Sequence, residues 1–388
     1  MYQEVLSGQR MGYIRTGGHP DHRELESAIA KMEQAAAMRI RSDGMGAIGM
    51  ALAAAAMTRG PKLIIVLPCY GDTPRAASLL TRLSGGLIKV LYVFANDPLF
   101  LERLADAIFI PPQTGAILLE GLTNPTLDMV DFVGVMNIVQ NHPRGKPLTI
   151  YDNTFLTGLF RPLEWGADVV VNSGTKYIIG ESAWTLGYCG VSNDLIEQHP
   201  DFWEVANDWA GCFGGTLAPF EAWVTNMLSL RDLEYRMKKH SARALAIARF
   251  LEEHPCVERV VYPGLESYPH YHDRALFYLG LLDDGERYFG GMIAFYLKDA
   301  NLTKTQEFLY FLTQHTHIWN KASLGAPDDI VENPTRISHK KMSPELRQRC
   351  GITDNLVRFS AGRGRTTSVE QAKEELDYGL RTVLGRRC

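Results

Sequence analysis

The sequence predicts an α/β fold: a mainly parallel sheet in a large domain, followed by a smaller C-terminal α/β domain. Three observations predict it. Short β-rich runs alternate with helical patterns from about residue 24 to residue 193, the pattern of a parallel sheet covered by helices. After Pro219 that alternation gives way to a long helical stretch and isolated β-rich runs. With 388 residues, 46% hydrophobic and 22% charged, the chain is long and apolar enough to bury two cores.

In the first region the strands are expected at 62–67, 88–94, 116–119, 148–151, 168–171 and 185–191. Helices are expected at 24–38, 46–58, 74–83, 98–105 and 128–140, where apolar residues recur at three- and four-residue steps. A helical stretch at 220–253 then leads into strands at 257–261 and 292–297, and a last helix at 368–383 starts on a Thr-Ser cap. The expected division is residues 1–27 as an N-terminal arm contacting a neighbouring subunit, 28–229 as the large domain and 230–388 as the C-terminal domain.

Forty Lys and Arg against 44 Asp and Glu give a formal net charge of −4. No basic run marks a nucleic-acid or membrane-surface footprint, so a small ligand is the expected partner. The N-terminus lacks a basic segment followed by an apolar one, and the longest apolar run, 45–57, falls short of a spanning helix. Cytoplasmic residence is expected. The six cysteines are scattered without C-x-x-C or Cys/His ligand spacing, which predicts reduced thiols and no structural metal.

In open parallel sheets ligands bind beyond the carboxyl ends of the strands. The residues expected there are unusually polar: Tyr70, Glu120, Asn124, Asp152 and the run Ser173-Gly-Thr175-Lys176. They supply the four parts of a pyridoxal 5'-phosphate (PLP) site. Lys176 is an amine for a Schiff base and a later proton shuttle. Asp152 is a carboxylate to keep the pyridine nitrogen protonated. Ser42-Asp-Gly44-Met45 precedes an apolar helix whose N–H groups can face a phosphate, with Ser173 and Thr175 adding hydroxyls. Tyr70 offers a ring to stack on the pyridine. Arg358, before the Gly-rich turn 361–364, is a planar partner for a substrate carboxylate. Singly, each residue has a plainer use: a solvated lysine, a helix cap, a core-edge aromatic, or a structural ion pair for Arg358. Their joint order at successive strand ends favours one site.

The segments Tyr13-Ile-Arg15, Ser42-Asp-Gly-Met45, Tyr70-Gly-Asp-Thr73, Glu120-Gly-Leu-Thr-Asn124, Asp152-Asn-Thr154, Ser173-Gly-Thr-Lys-Tyr177 and Leu356-Val-Arg-Phe-Ser360 resemble the Cys/Met-metabolism PLP enzymes. That group holds the cystathionine γ-synthases, cystathionine γ- and β-lyases and methionine γ-lyases. The resemblance implies a fold-type-I PLP enzyme with Lys176 as the cofactor lysine and Asp152 as the pyridine partner. By the same resemblance Asn124 touches the ring hydroxyl, Arg358 clamps the carboxylate, and Gly44, Met45, Ser173 and Thr175 hold the phosphate. It further implies that Tyr13 and Arg15 complete the phosphate site of a neighbouring subunit in a homotetramer, a dimer of dimers. Arg75 and Ser323 match substrate-side positions.

The expected activity is γ- or β-elimination on a sulfur-containing or homoserine-derived amino acid, catalysed by Lys176 with Tyr70, as in transsulfuration. The alternatives are a γ-replacement synthase on an activated homoserine, a transaminase, and a non-catalytic PLP-binding protein. Departures from the family pattern fall at Asp43, Asp72, Glu181 with Ala183 after the lysine, and Ala322 before Ser323. They bear on the substrate rather than on the cofactor.

Overall fold

The structure, a computed structural model, describes residues 13–16, 18–142, 146–279 and 285–385. The first sheet contains β1 (Ala37–Arg41), β2 (Lys62–Leu67), β3 (Lys89–Phe94), β4 (Thr114–Glu120), β5 (Leu148–Asp152), β6 (Val169–Asn172) and β7 (Gly187–Val191), in the order β1-β7-β6-β5-β4-β2-β3. Pairs from β3 to β6 are parallel; β7 runs antiparallel to both β6 and β1. The residues of β2 and β4 are buried along their whole length, the mark of strands covered on both faces.

The second sheet holds β8 (Val257–Val261), β9 (Met292–Leu297), β10 (Trp319–Asn320), β11 (Ile330–Glu332) and β12 (Leu356–Ser360), in the order β10-β11-β12-β9-β8. It is antiparallel except where β10 meets β11. The α/β architecture is the predicted one.

Several elements depart from expectation. The first helix is Pro20–Glu33, not 24–38, and its C-cap Gln34 takes φ 56. The chain then turns into β1, whose alternating burial was not anticipated. The 20–33 helix packs Leu25 and Ile29 into the core and spans the expected boundary at 27/28. The stretch 220–253 is interrupted: Pro219–Val224 and the π-turn Thr225–Ser229 precede Leu233–Glu252. Helices Pro200–Phe213 and Leu302–His315 and strands β11 and β12 were not anticipated. The last helix, Val369–Leu384, is capped as expected by Ser368, which accepts from Gln371 N. Cys69, Cys189, Cys212 and Cys350 are free thiols, whereas Cys256 is in a disulfide, against the expectation of reduced thiols throughout. Among the described residues, no helix is long and apolar enough to cross a membrane.

Candidate active site

The carboxyl ends of β2, β4, β5 and β6 open onto a cavity of about 430 Å³, closed on its far side by residues of the second sheet. That volume suits a cofactor-sized ligand. Of the predicted residues, Gly44, Met45, Tyr70, Asn124, Asp152, Ser173, Thr175, Lys176, Ser323 and Arg358 all line it.

The helix Gly44–Thr58 points its N-terminus at this cavity. Asp43 is its N-cap, accepting from Gly46 N at 2.8 Å while Ser42 Oγ donates to its other oxygen. The carboxylate that would oppose a phosphate is therefore engaged in capping. The first backbone bond of the helix runs from Ala47 N to Asp43 O. The amides of Gly44 and Met45 precede it and suit an anion. A Cβ at Gly44 would sit 2.7 Å from Ser173 Cβ, so only glycine lets the helix start and the β6 loop approach this closely. Thr175 is placed differently from expectation: its hydroxyl donates to Leu186 O and accepts from Leu186 N. It fixes the loop and has no second proton to give an anion.

Asp152 ends β5 directly opposite Glu120 of β4. One Asp152 oxygen, Oδ1, accepts from Thr154 N at 2.9 Å and Thr154 Oγ1 at 2.6 Å. Burial raises Asp152 to about 6, with the Thr154 bonds opposing the rise. Glu120 accepts from Tyr70 N and Asn124 N, joining the loops after β2 and β4. Burial, then the Asp152 charge, pushes its carboxyl well above the usual range. Asn124 Oδ1 accepts from Arg358 at 2.8 Å, which turns its NH₂ away from the arginine. The half-buried Tyr70 phenol is raised by burial and by the neighbouring Asp72, so it stays protonated at neutral pH.

Lys176 Nζ donates to Ser323 Oγ at 3.0 Å. Burial first, then the Arg358 charge, lowers its amine to about 8, closer to neutral pH and to nucleophilic form. Its loop is held from two sides. Arg236 donates to the carbonyls of Tyr177 (2.5 Å) and Ile178 (2.9 Å). Gly325, at φ 74, lies against the Lys176 backbone, where a Cβ would come within 2.9 Å. Arg358 on β12 donates to Asn124 and to Ser323 O, and its guanidinium is 3.1 Å from Glu332 of β11, both side chains buried. The residues fit PLP: an amine, a carboxylate oxygen of Asp152 aimed away from Thr154, free helix amides, and a ring at Tyr70.

Three predicted residues do not join this cavity within the chain. Tyr13 is 67% exposed, with Arg15 over its ring; Arg15 also donates to Gly211 O. Arg75 pairs with Asp72 at 2.7 Å outside the lining. Glu181 also lies outside, in ion pairs with Arg363 and Arg365, and Ala183 is exposed. Those two departures therefore do not touch the cavity, while Asp72 does line its mouth. Sequence reasoning missed Glu332, Ser338, Lys340 and Lys341, which line the same wall. The short β11 and the irregular segment after it carry no periodic signal that could have placed them.

A family model described as Cys/Met metabolism PLP-dependent enzyme matches residues 3–380. Cystathionine gamma-lyase of Mus musculus is 30% identical over 384 residues, 98% of this chain and 88% of that protein. L-methionine gamma-lyase of Porphyromonas gingivalis is 30% identical over 382 residues, again 98% and 88%. In structure, the chain superposes on cystathionine gamma synthase from Xanthomonas oryzae pv. oryzae with TM-score 0.80, 29% identity and coverage of 96% and 88%. Cystathionine gamma-lyase from Lactobacillus plantarum, complexed with L-serine, gives TM-score 0.80 at 27% identity, with coverage of 96% and 88%. With its sheet topology, its cavity and these likenesses in agreement, the chain belongs to the Cys/Met metabolism PLP-dependent enzymes.

Proposed function

We propose that this enzyme carries out γ- or β-elimination on a sulfur-containing or homoserine-derived amino acid, with Lys176 as the lysine that binds PLP. The observation that carries this reading is the convergence of Lys176 and Arg358, from different sheets, on one buried cavity. One supplies an amine of lowered basicity and the other a planar cation for an amino-acid carboxylate. PLP, when bound, supplies an electron sink for the pair left by breaking the Cα–H bond.

The remaining roles fall to the chain itself. Arg358 holds the substrate carboxylate and so fixes which Cα bond faces Lys176. Lys176, freed by the substrate amine, takes the Cα proton and returns it further along the chain. Asp152, ionised above about 6, holds the pyridine nitrogen's proton. Tyr70, still protonated, donates toward the departing sulfur or oxygen. The Gly44 and Met45 amides and Ser173 hold the phosphate, and Asn124 the ring hydroxyl. Overall, substrate and water yield ammonia, a 2-oxo acid and the leaving group, a thiol where sulfur departs and an alcohol or carboxylic acid where oxygen does.

The two sequence relatives named above are lyases, which supports elimination; the synthase fold likeness keeps γ-replacement on an activated homoserine as a second reading. An amino-acid panel assayed without added nucleophile separates them. Steady release of ammonia and 2-oxo acid is expected; product formed only with an added thiol sinks the lyase reading. Lys176→Ala should lose the visible absorbance of the PLP-loaded protein. The reading extends to a cytoplasmic dimer of dimers. Tyr13 and Arg15 are not in the lining of their own cavity, and Phe213 and Phe220, at the end of one helix and the start of the next, are 70% and 72% exposed. Sedimentation at equilibrium tests the assembly.

A further inference from the structure

Thr154 lines the cavity just after β5 ends, and its one hydroxyl meets both ends of the proposed cofactor cradle. Oγ1 donates to Asp152 Oδ1 at 2.6 Å and accepts from the Ser173 amide at 2.9 Å. A backbone N–H can only donate, so Oγ1 accepts from Ser173 and its single proton is left for the carboxylate.

The contact with Asp152 is in itself a local turn, in which a carboxylate bonds the chain two residues on. Thr154 N donates to the same Oδ1 at 2.9 Å. The contact with Ser173 is of another kind. It joins residues 19 positions apart, from the loop after β5 to the loop after β6, and no local turn requires it. Among the described residues, Thr154 is the one side chain bonded to both Asp152 and Ser173.

The hydroxyl is also held from behind. Thr157 Oγ1 donates to Thr154 O at 3.0 Å and accepts from Asn172 Nδ2 at 2.9 Å, and Asn172 is the last residue of β6. Beyond Ser173 the tie continues: Lys176 N donates to Ser173 O at 3.0 Å. The turn that presents the proposed Schiff-base lysine thus starts on the residue that Thr154 fixes. On its other side Ser173 packs so closely on the start of the helix Gly44–Thr58 that a Cβ at Gly44 would sit 2.7 Å from its own Cβ. PLP is a rigid ring with its nitrogen and its phosphate at a set separation. A site that grips both ends needs its two grips held at a matching separation.

We propose that Thr154 is a positioning residue that sets the spacing between the carboxylate holding the pyridine nitrogen and the loop holding the phosphate. This rests on the reading of Asp152 and Ser173 as those two groups, and goes beyond it by assigning what keeps them in register.

The test uses the full chain loaded with PLP isotopically labelled at the ring nitrogen, so that nitrogen and phosphorus resonances in solid-state magnetic resonance report the two ends separately. Thr154→Val keeps the shape and removes the hydroxyl. It should move both resonances and weaken PLP about tenfold, as expected for the loss of one charge-assisted bond. Thr154→Ser keeps the hydroxyl and should return both resonances and the dissociation constant to near wild type. Thr154→Cys, whose thiol is a weaker donor and acceptor, should move both by less, and gives the same reading where the valine variant does not fold. If the hydroxyl-free variant moves the nitrogen resonance alone, Thr154 serves Asp152 only and the proposal is overturned; no movement in either overturns it as well. Asp152→Asn should move the nitrogen resonance and Ser173→Ala the phosphorus one. A resonance that ignores its own partner's removal overturns the reading of that partner, and the role of Thr154 falls with it.

Discussion

The two walls of the cavity are built on different rules. On the first-sheet wall, the polar groups are tied to backbone: Glu120 to the amides of Tyr70 and Asn124, Asp152 to Thr154, Asp43 to Gly46, and Thr175 to Leu186. On the second-sheet wall, Arg358, Glu332, Ser338 and His339 are joined side chain to side chain, with Arg358 and His339 also held at the carbonyls of Ser323 and Cys69. Backbone ties give a fixed geometry for an invariant cofactor. Side-chain ties leave a wall whose shape depends on which side chains are present, on the part of the site proposed to meet the substrate.

The sharpest way to break this comparison is at the fixed wall. Asp152→Asn should lower kcat by roughly 10³-fold, because a fixed charge at the pyridine position is removed without loss of volume. In the wild type the acid limb of the rate profile should lie near 6 and rise with pH, since the working form of Asp152 is the deprotonated one. That limb should vanish in the variant; a limb unchanged in position would detach Asp152 from the chemistry. At the other wall, Arg358→Ala should lower kcat/KM by about 10²-fold, read from initial rates, as expected for losing a buried charge-assisted contact.

Behind the fixed wall lies a buried carboxylate with a stability signature. Glu33 accepts from Tyr188 OH at 2.5 Å and from Asn153, next to Asp152. Burial raises its carboxyl from 4.5 to about 7. Below 4.5 both folded and unfolded forms hold the proton; between 4.5 and 7 only the folded form does. Stability should therefore fall by roughly 3 kcal/mol as pH rises through that window. Urea unfolding at pH 5 and pH 7.5 should show the slope, and Glu33→Gln should flatten it. The smallest effect belongs to Glu181, whose ion pairs with Arg363 and Arg365 join the two regions at the surface. Glu181→Ala should change kcat/KM by less than about threefold, as exposed pairs contribute little. A larger loss would place it among the substrate contacts.

The first-sheet wall was legible in the sequence because each of its residues follows a strand with a strong pattern: Tyr70 after the apolar run of β2, Asp152 at the end of β5, Lys176 after β6. The second wall was legible at Arg358 and, through the family resemblance, at Ser323. β11 is three residues long and Glu332 is its last, while Ser338 and His339 sit in irregular chain. Their placement comes from tertiary packing against Cys69, 270 positions away, which no local periodicity records. The same limit explains Glu181. Its neighbourhood in sequence is the cofactor lysine, but at Gly180, φ 68, the chain leads it out to meet Arg363.

At the mouth, a Cβ added to Gly71 would come within 2.2 Å of the Ser338 carbonyl. Backbone meets backbone there, across the seam between the two walls. The seam acts as a fixed jaw, and a change of substrate range is expected to come from interchangeable teeth: Asp72, Ala322, Lys340 and Lys341, which line the same cavity. For anyone redesigning this enzyme, those four positions are the adjustable parts, and position 71 is the hinge pin that must stay bare.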